Sequence, residues 1–159
     1  MAYDFDSVSF HDNAIHGIFL PESINDGVSP LRFDIDHITE WSEHSVSGKQ
    51  LFSVSQGILS FYNVTDLRLN IEWAISNYTA SEVGVYIIDI KREAAKTTLC
   101  VPQYYKWEII TNSKNYSFSF GASSTSIILL GNPKLVDRQY LLGDERISIS
   151  GLLQSNSPQ

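Results

Sequence analysis

Residues 57–73 read GILSFYNVTDLRLNIEW, and this stretch decides the fold class. In its second half four apolar side chains alternate with four polar ones: Leu67, Leu69, Ile71 and Trp73 against Asp66, Arg68, Asn70 and Glu72. A period of two is typical of a β-strand with one buried face and one exposed face. Residues 58–62 predict a second short strand, which residues 63–66 join to the first.

Residues 31–41, LRFDIDHITEW, show the same alternation and also end in Glu-Trp. Turn-forming residues separate this segment from other short apolar segments, and each segment predicts a strand. The segments are 8–20, 51–54, 83–91, 104–110, 116–120, 126–130 and 146–153. Many short strands predict a mostly β chain, either an antiparallel β-sandwich or a partly open β-barrel. The pattern does not choose between these two architectures.

One short helix is predicted near residues 133–142. Asn132 provides an N-cap, Pro133 suits the first helical position, and Gly143 lies where a helix stop is expected. We predict a single domain over residues 1–159, because nothing in the composition divides the chain. The polar segments 1–7 and 154–159 are expected to be loose tails.

The charge of the chain restricts its partners. With 18 acidic and 11 basic residues the formal net charge is −7, and an acidic surface repels nucleic acid and anionic lipid. We therefore expect neither nucleic acid nor membrane as a partner. An acidic surface suits solubility or docking to a basic protein, and the predicted partner is a protein. The N-terminus lacks a secretory signal and no apolar run reaches the roughly 20 residues of a membrane span, so the expected location is cytoplasmic.

Three acids follow one face of the strand predicted over residues 31–41, namely Asp34, Asp36 and Glu40. Neighbouring acids on one strand face lie about 6.6 Å apart, a spacing that two-carboxylate hydrolases also use. A solvated strand face produces the same pattern, and we prefer that interpretation. Asp66 and Glu72 lie on the polar face of the strand over residues 66–73. These five acids are the predicted binding residues.

The sequence HDNAIH begins at His11 and invites a metal interpretation. In an extended strand, however, His11 and His16 point to opposite faces, and Asp12 and His16 lie about 13 Å apart. We therefore predict that His11 and Asp12 form a structural polar pair at the start of a strand. No metal and no cofactor are expected. The single cysteine, Cys100, excludes an internal disulfide.

The sequence gives little support for an enzyme. It contains no Gly-x-Ser-x-Gly elbow and no glycine-rich phosphate loop before a helix, so we predict no catalytic residues and keep hydrolase as a minor alternative. Aromatic residues make up 12% of the chain, and in small β-proteins they usually form the core. Trp41, Trp73 and Trp107 fall on predicted inward faces. In a barrel, the same side chains would line a ligand cavity.

Three short motifs carry a resemblance to a known type of protein. They are His11-Asp12-x-x-Ile15-x-x-Ile18, the Leu-x-x-Asp-x-Asp-x-Ile-x-Glu-Trp pattern over residues 31–41, and Val64-Thr-Asp-Leu-Arg68. Together they resemble small single-domain bacterial proteins of the immunity type from polymorphic toxin systems. The resemblance implies an acidic domain that blocks a toxin by binding it, and it carries over no catalytic residue.

The expected function is therefore non-catalytic protein binding, in its specific form an immunity-type inhibition of a toxin. The alternative is a small-molecule-binding β-barrel, which requires a closed apolar cavity. A homodimer through an exposed strand edge is compatible with either function, because antiparallel sandwiches leave edges that need covering.

Overall fold

A computed structural model describes residues 4–24, 27–72 and 84–150. The predicted fold class is confirmed: 59% of the structure is strand, and one antiparallel sheet of eight strands is not closed into a barrel. The strands are β1 (Ala14–Phe19), β2 (Ser23–Ile24), β3 (Gly27–Val28), β4 (Leu31–Glu43), β5 (Gln50–Tyr62), β6 (Thr65–Ile71), β7 (Val85–Ala94), β8 (Tyr105–Thr111), β9 (Tyr116–Ala122) and β10 (Ser124–Val136). Two 3-10 turns cover Phe5–Ser7 and Gly143–Glu145.

The large sheet folds over on itself. Its order is β10-β5-β4-β1-β7-β8-β9-β6, and β2 pairs only with β3 in a small separate sheet. The β1–β7 link contains two residue pairs, Ala14 with Tyr86 and Ile15 with Val85. The halves on either side of this link pack face to face, since the Phe61 ring of β5 lies 4.7 Å from Phe120 of β9. This packing is that of a sandwich built from one continuous sheet.

The stretch 57–73 connects the two halves. β5 pairs with β4 and β10 in one half, whereas β6 pairs with β9 in the other. Asn63, in the short connection, has a positive φ of 54°, and Asp66 repeats this with 52°. Asparagine and aspartate tolerate that conformation better than other non-glycine residues do. Strands β5 and β6 are therefore neighbours in sequence but lie in opposite layers.

Aromatic and branched side chains fill the space between the layers. Phe33, Phe61, Trp107 and Phe118 are almost fully buried there, together with Leu31, Ile35, Leu59, Ile87, Ile109 and Phe120. The indole N–H of Trp107 donates to the carbonyl of Ala122 at 3.1 Å, so this polar group is satisfied. Trp41 was predicted to lie on an inward face, but its side chain is 48% exposed. Trp73 lies outside the described residues.

Strand β5 is longer than predicted. The sequence predicted two separate short strands at 51–54 and 58–62, but β5 runs through both as one strand of 13 residues. Gly57 fits there because Leu129 and Ile127 of β10 lie over it, with the nearest atom 3.3 Å from where a Cβ would stand. The glycine therefore marks a close approach of side chains.

The predicted helix near residues 133–142 is wrong. β10 continues to Val136, and its register against β5 shifts between Leu130 and Lys134. Gly131 has a φ of 74° in this irregular segment. Pro133 lies in the same segment, between the paired residues Leu130 and Lys134. Proline lacks the backbone N–H of a strand ladder, so an edge strand with a bulge accommodates it. No helix in the described part of the chain is long and apolar enough to cross a membrane.

Residues 137–147, here called the C-terminal strap, cross the outer face of β4 and β5. Leu141 is 4% exposed and packs with Ile38, Phe52 and Val54 in a second, smaller core. At the other end of the chain, Phe5–Ser7, expected within the loose segment 1–7, instead form a turn. Phe5 packs edge-on against Trp107 at 5.0 Å. Both ends of the described chain therefore cover the sheet.

Candidate functional site

Two of the predicted binding acids lie beneath the C-terminal strap. Asp34 and Asp36 are 7% and 0% exposed, on the face of β4 that points away from the main core. The guanidinium of Arg146 forms ion pairs with both, through Nη2 to Asp34 and Nη1 to Asp36. One arginine thus binds two carboxylates. We call Asp34, Asp36, Arg146 and Gln56 the buried charge cluster.

Backbone and amide groups complete the buried charge cluster. The N–H of Leu141 donates to Asp36 Oδ2 at 2.7 Å, and Gln56 Nε2 donates to Asp34 Oδ1 at 3.2 Å. Gln56 also binds Ile147 twice, accepting from its N–H at 2.7 Å and donating to its carbonyl at 3.1 Å. Gln56 lies directly opposite Asp36 in the β4–β5 ladder. The strap is therefore fastened to the sheet by side chains of two neighbouring strands.

The prediction that Asp34 and Asp36 lie on a wet face is wrong. The alternation of β4 does place them opposite the core residues Phe33 and Ile35, but the outer face is covered by the strap. A period of two separates two faces and does not say whether a distant segment covers one of them. Their burial also removes them from the predicted binding surface.

His16 extends the buried charge cluster to the surface. It lies at the register shift of β1 between Ile15 and Gly17, and its Nε2 is 2.8 Å from Asp36 Oδ2. Burial lowers the pKa of His16, and the positive charge of Arg146 lowers it further, while Asp34 raises it. A carboxylate contact usually raises the pKa of a histidine. Here the Arg146 guanidinium already balances the Asp36 carboxylate, so burial determines the direction and the pKa of His16 is lowered.

A second buried polar contact joins β4 to the segment before β1. Asn13 Nδ2 is 2.8 Å from His37 Nδ1, and Asn13 Oδ1 accepts from the N–H of Ile38 at 3.2 Å. The second bond orients the amide, so its NH₂ group must donate to His37 Nδ1. That nitrogen therefore carries no proton. Burial lowers the pKa of His37, which agrees with a neutral ring.

Because the pKa of His37 is lowered on folding, stability should fall as the pH falls. The unfolded chain binds more protons below its ordinary histidine pKa of about 6.5, so acidification favours unfolding. Between pH about 7.5 and about 5.5, above the ordinary carboxylate range, the slope should steepen once the pH falls below about 6.5, and each such histidine adds at most about 1.4 kcal/mol per pH unit. Urea unfolding across this range measures it, and His37→Gln should reduce the slope.

The matched control is Phe10→Leu. The Phe10 ring lies 5.6 Å from the His37 ring, so the substitution disturbs the same contacts without removing the titrating group. It should lower stability at every pH and keep the wild-type slope. An equal slope in wild type and His37→Gln would contradict the assignment of this pH dependence to His37.

The third acid of β4 has a different environment. Glu40 is exposed, and so are its neighbours Trp41 and Glu43. Trp41 pairs with Phe52 across the β4–β5 ladder, and their rings meet edge-on at 5.0 Å. Trp41 and Glu43 share one face of the strand, about 7 Å apart along it. We call Glu40, Trp41 and Glu43 the hairpin patch.

The hairpin patch lies where β4 and β5 extend past their neighbours. β1 pairs with β4 only between Arg32 and Asp36, and β10 pairs with β5 only from Phe52 onwards. The turn that follows is compact, because the Gly48 N–H donates to the carbonyl of His44 at 2.9 Å. Lys49 forms an ion pair with Asp137 of the strap. The hairpin therefore contacts the strap beside its turn, and Trp41 lies on its two paired strands.

The remaining predicted residues lie elsewhere. Asp66 is exposed on β6 and Glu72 follows the end of that strand, both in the opposite half of the sheet from β4. The five predicted acids therefore do not form one surface. At the start of β1, His11 Nδ1 lies 3.0 Å from Asp12 Oδ2, and Gln139 of the strap donates to the same oxygen at 3.0 Å.

Asp34 and Asp36 do not have the geometry that a two-carboxylate hydrolase uses. Such an enzyme leaves its carboxylates free in a cleft that admits substrate, whereas Asp34 and Asp36 are both bound to Arg146. Among the residues that the structure describes, no three His, Cys, Asp or Glu side chains converge to hold a metal ion. The arrangement at β4 is thus a structural ion cluster beside an exposed aromatic and acidic patch.

Local sequence patterns do not predict Arg146, Gln56 and Asn13 as partners of the β4 polar residues. Arg146 is more than 100 positions away from Asp36, and no local pattern connects them. Gln56 is easier to place, because residues 51–62 read as one strand if Gly57 is accepted within it, and Gln56 is then a strand residue. No protein-family model matches the chain, and no curated protein matches its sequence.

Proposed function

We propose that this protein is a non-catalytic protein-binding domain that recognises its partner through the hairpin patch. In its specific form it inhibits a toxin, as the resemblance to immunity proteins suggests. The proposal rests on Trp41, which is 48% exposed although it is a large aromatic side chain. Tryptophan is enriched among the residues that contribute most to binding energy at protein interfaces.

The charges beside Trp41 indicate the kind of partner. Glu40 and Glu43 are exposed, and no basic side chain of the described residues forms an ion pair with either of them. Unpaired acids beside an aromatic anchor, with Glu43 on the Trp41 face of β4 and Glu40 on the other, favour a basic partner surface and act mainly by raising the association rate. The overall net charge of −7 acts in the same direction.

The alternative, a small-molecule-binding barrel, has less support. It requires a closed apolar cavity, and the eight-stranded sheet is not closed. The space between the layers is filled by the buried rings around Phe61 and Trp107. These observations favour a function at the surface of the protein over one in its interior.

The test begins with tagged protein purified from its own source at low salt and examined by native mass spectrometry. We expect a stoichiometric basic protein that dissociates at high salt. With that partner in hand, Trp41→Ala should weaken binding by about 30-fold or more, as loss of an interface anchor does. The double variant Glu40→Gln/Glu43→Gln should slow association and flatten its salt dependence.

The matched control is Val46→Ala, which changes an apolar residue that is 89% exposed at the turn of the same hairpin. It should bind like wild type. A second double variant, Asp66→Asn/Glu72→Gln, removes two predicted acids in the other half of the sheet. If it abolishes binding while Trp41→Ala does not, the hairpin patch is the wrong surface.

The specific toxin-inhibiting function has a separate readout. Expression of the captured partner alone should arrest the growth of a host cell, and co-expression of the wild-type domain should restore growth. Trp41→Ala should restore it less well. A partner that leaves growth unaffected would contradict inhibition of a toxin and leave protein binding as the function.

A further inference from the structure

The two edges of the eight-stranded sheet differ in length and chemistry. The edges are β10, with 13 residues, and β6, with 7 residues. An open edge presents unpaired backbone N–H and C=O groups, and natural proteins protect it with charges, short strands and irregularities. An edge strand with these features is protected against pairing, and an edge strand without them is open to it.

Edge β6 carries such protection. It contains the charged residues Asp66 and Arg68, and its register against β9 shifts between Thr65 and Arg68. Asp66 has a positive φ of 52°, which interrupts the regular extended backbone. A second strand would meet a short, kinked and charged edge there.

Edge β10 lacks this protection over its first part. Residues 124–130 read STSIILL and contain no charge, no proline and no glycine. Ile128 is 54% exposed and Leu129 is 41% exposed, one on each face of the strand. Only after Leu130 does the strand become irregular, with Pro133 and Lys134 at the register shift. In the described ranges the other side of β10 pairs with no strand.

We infer that residues 124–130 of β10 pair with the same residues of a second copy of this chain, antiparallel and about a twofold axis. With the axis at Ile127, this residue faces its own copy, Ile128 faces Ser126 and Leu129 faces Thr125. Cross-strand pairs of β-branched and apolar residues stabilise antiparallel sheets. The pairing joins two eight-stranded sheets and places Ser126 and Thr125 of one copy beside Ile128 and Leu129 of the other.

The absence of charge in residues 124–130 favours a second copy of this chain as the partner of this edge. A basic partner gains nothing at a segment without acids, whereas an identical uncharged segment meets no local repulsion. Two copies each carry a net charge of −7, so they repel each other at long range. Salt screens this repulsion. The dimer should therefore become stronger with added salt, opposite to the behaviour of the basic partner at the hairpin patch.

Sedimentation equilibrium of the full chain, from low to high micromolar concentration, tests the inference. We expect a monomer–dimer equilibrium that shifts towards dimer with salt. Ile128→Lys should raise the dissociation constant by about tenfold or more, because it brings two like charges onto the paired edge. The matched control is Asn70→Lys on edge β6, which should leave the dimer unchanged.

A second measurement uses wild-type protein only. Hydrogen exchange should show greater protection of residues 124–130 at high protein concentration, with residues 65–71 unaffected. A monomer at every concentration, or protection that does not depend on concentration, would overturn the inference. Trp41→Ala should still dimerise, so failure of the dimer and failure of partner binding at the hairpin patch are distinguishable.

Discussion

Replacement of Arg146 by methionine is expected to lower the free energy of unfolding by about 3–5 kcal/mol, the cost of leaving a buried charge without its partner. The Arg146 side chain is 12% exposed, and those of Asp34 and Asp36 are 10% and 0% exposed. Methionine fills much of the same volume but neutralises neither carboxylate. Since a domain is typically stable by about 5–15 kcal/mol, this loss is large. Urea unfolding at neutral pH measures it.

Neutralising the two carboxylates by mutation should reverse part of the loss caused by Arg146→Met, because no unpaired buried charge then remains. In the Arg146→Met background, Asp34→Asn/Asp36→Asn should recover part of the lost stability, and a double-mutant cycle measures the coupling.

The control for Arg146 is an exposed ion pair of the strap. Lys49→Met breaks the ion pair between Lys49 and Asp137. Their side chains are 60% and 46% exposed. Exposed ion pairs contribute little to stability because water and salt screen them, so the control should remain close to wild type. If Arg146→Met were no more destabilising than this control, Arg146 would not be the group that permits burial of Asp34 and Asp36.

Replacement of Phe61 by alanine is the second large change, with an expected loss of about 3–5 kcal/mol. Phe61 is 0% exposed on β5. Its ring meets Trp107 at 5.1 Å and Phe120 at 4.7 Å in the opposite half of the sheet, and Phe33 at 6.0 Å in its own half. Alanine removes these contacts and leaves a cavity between the layers. Thermal and urea unfolding both measure the loss.

Two variants accompany Phe61→Ala. Phe61→Leu keeps most of the apolar volume and should lose clearly less stability than alanine does. Tyr62→Phe, at the next position of β5, removes a surface hydroxyl that lies 3.0 Å from Ser126 Oγ, with an expected effect of about 0.5 kcal/mol. Equal losses for Phe61→Ala and Tyr62→Phe would show that the ring contacts between the layers contribute little.

The sequence by itself determined the fold class and most strand positions. Alternation in 31–41 and 65–71 follows directly from the pleat of a strand, so it is visible without any tertiary information. The buried positions of Phe33, Ile35 and Trp107 followed from the same pattern. Strand ends were less certain, because Gly57 resembles a turn residue until the side chains of β10 are placed over it.

Only the tertiary structure decided what covers each face. Asp34, Asp36 and Glu40 look alike in sequence, yet the first two are buried under the strap and the third is exposed. Their burial depends on Arg146, a contact between distant parts of the chain. The conformation around Pro133 also depends on tertiary contacts, because pairing of β10 with β5 outweighs the local preference for a helix. Local preferences amount to about 1 kcal/mol, whereas covering a sheet face involves many contacts that the order of residues does not reveal.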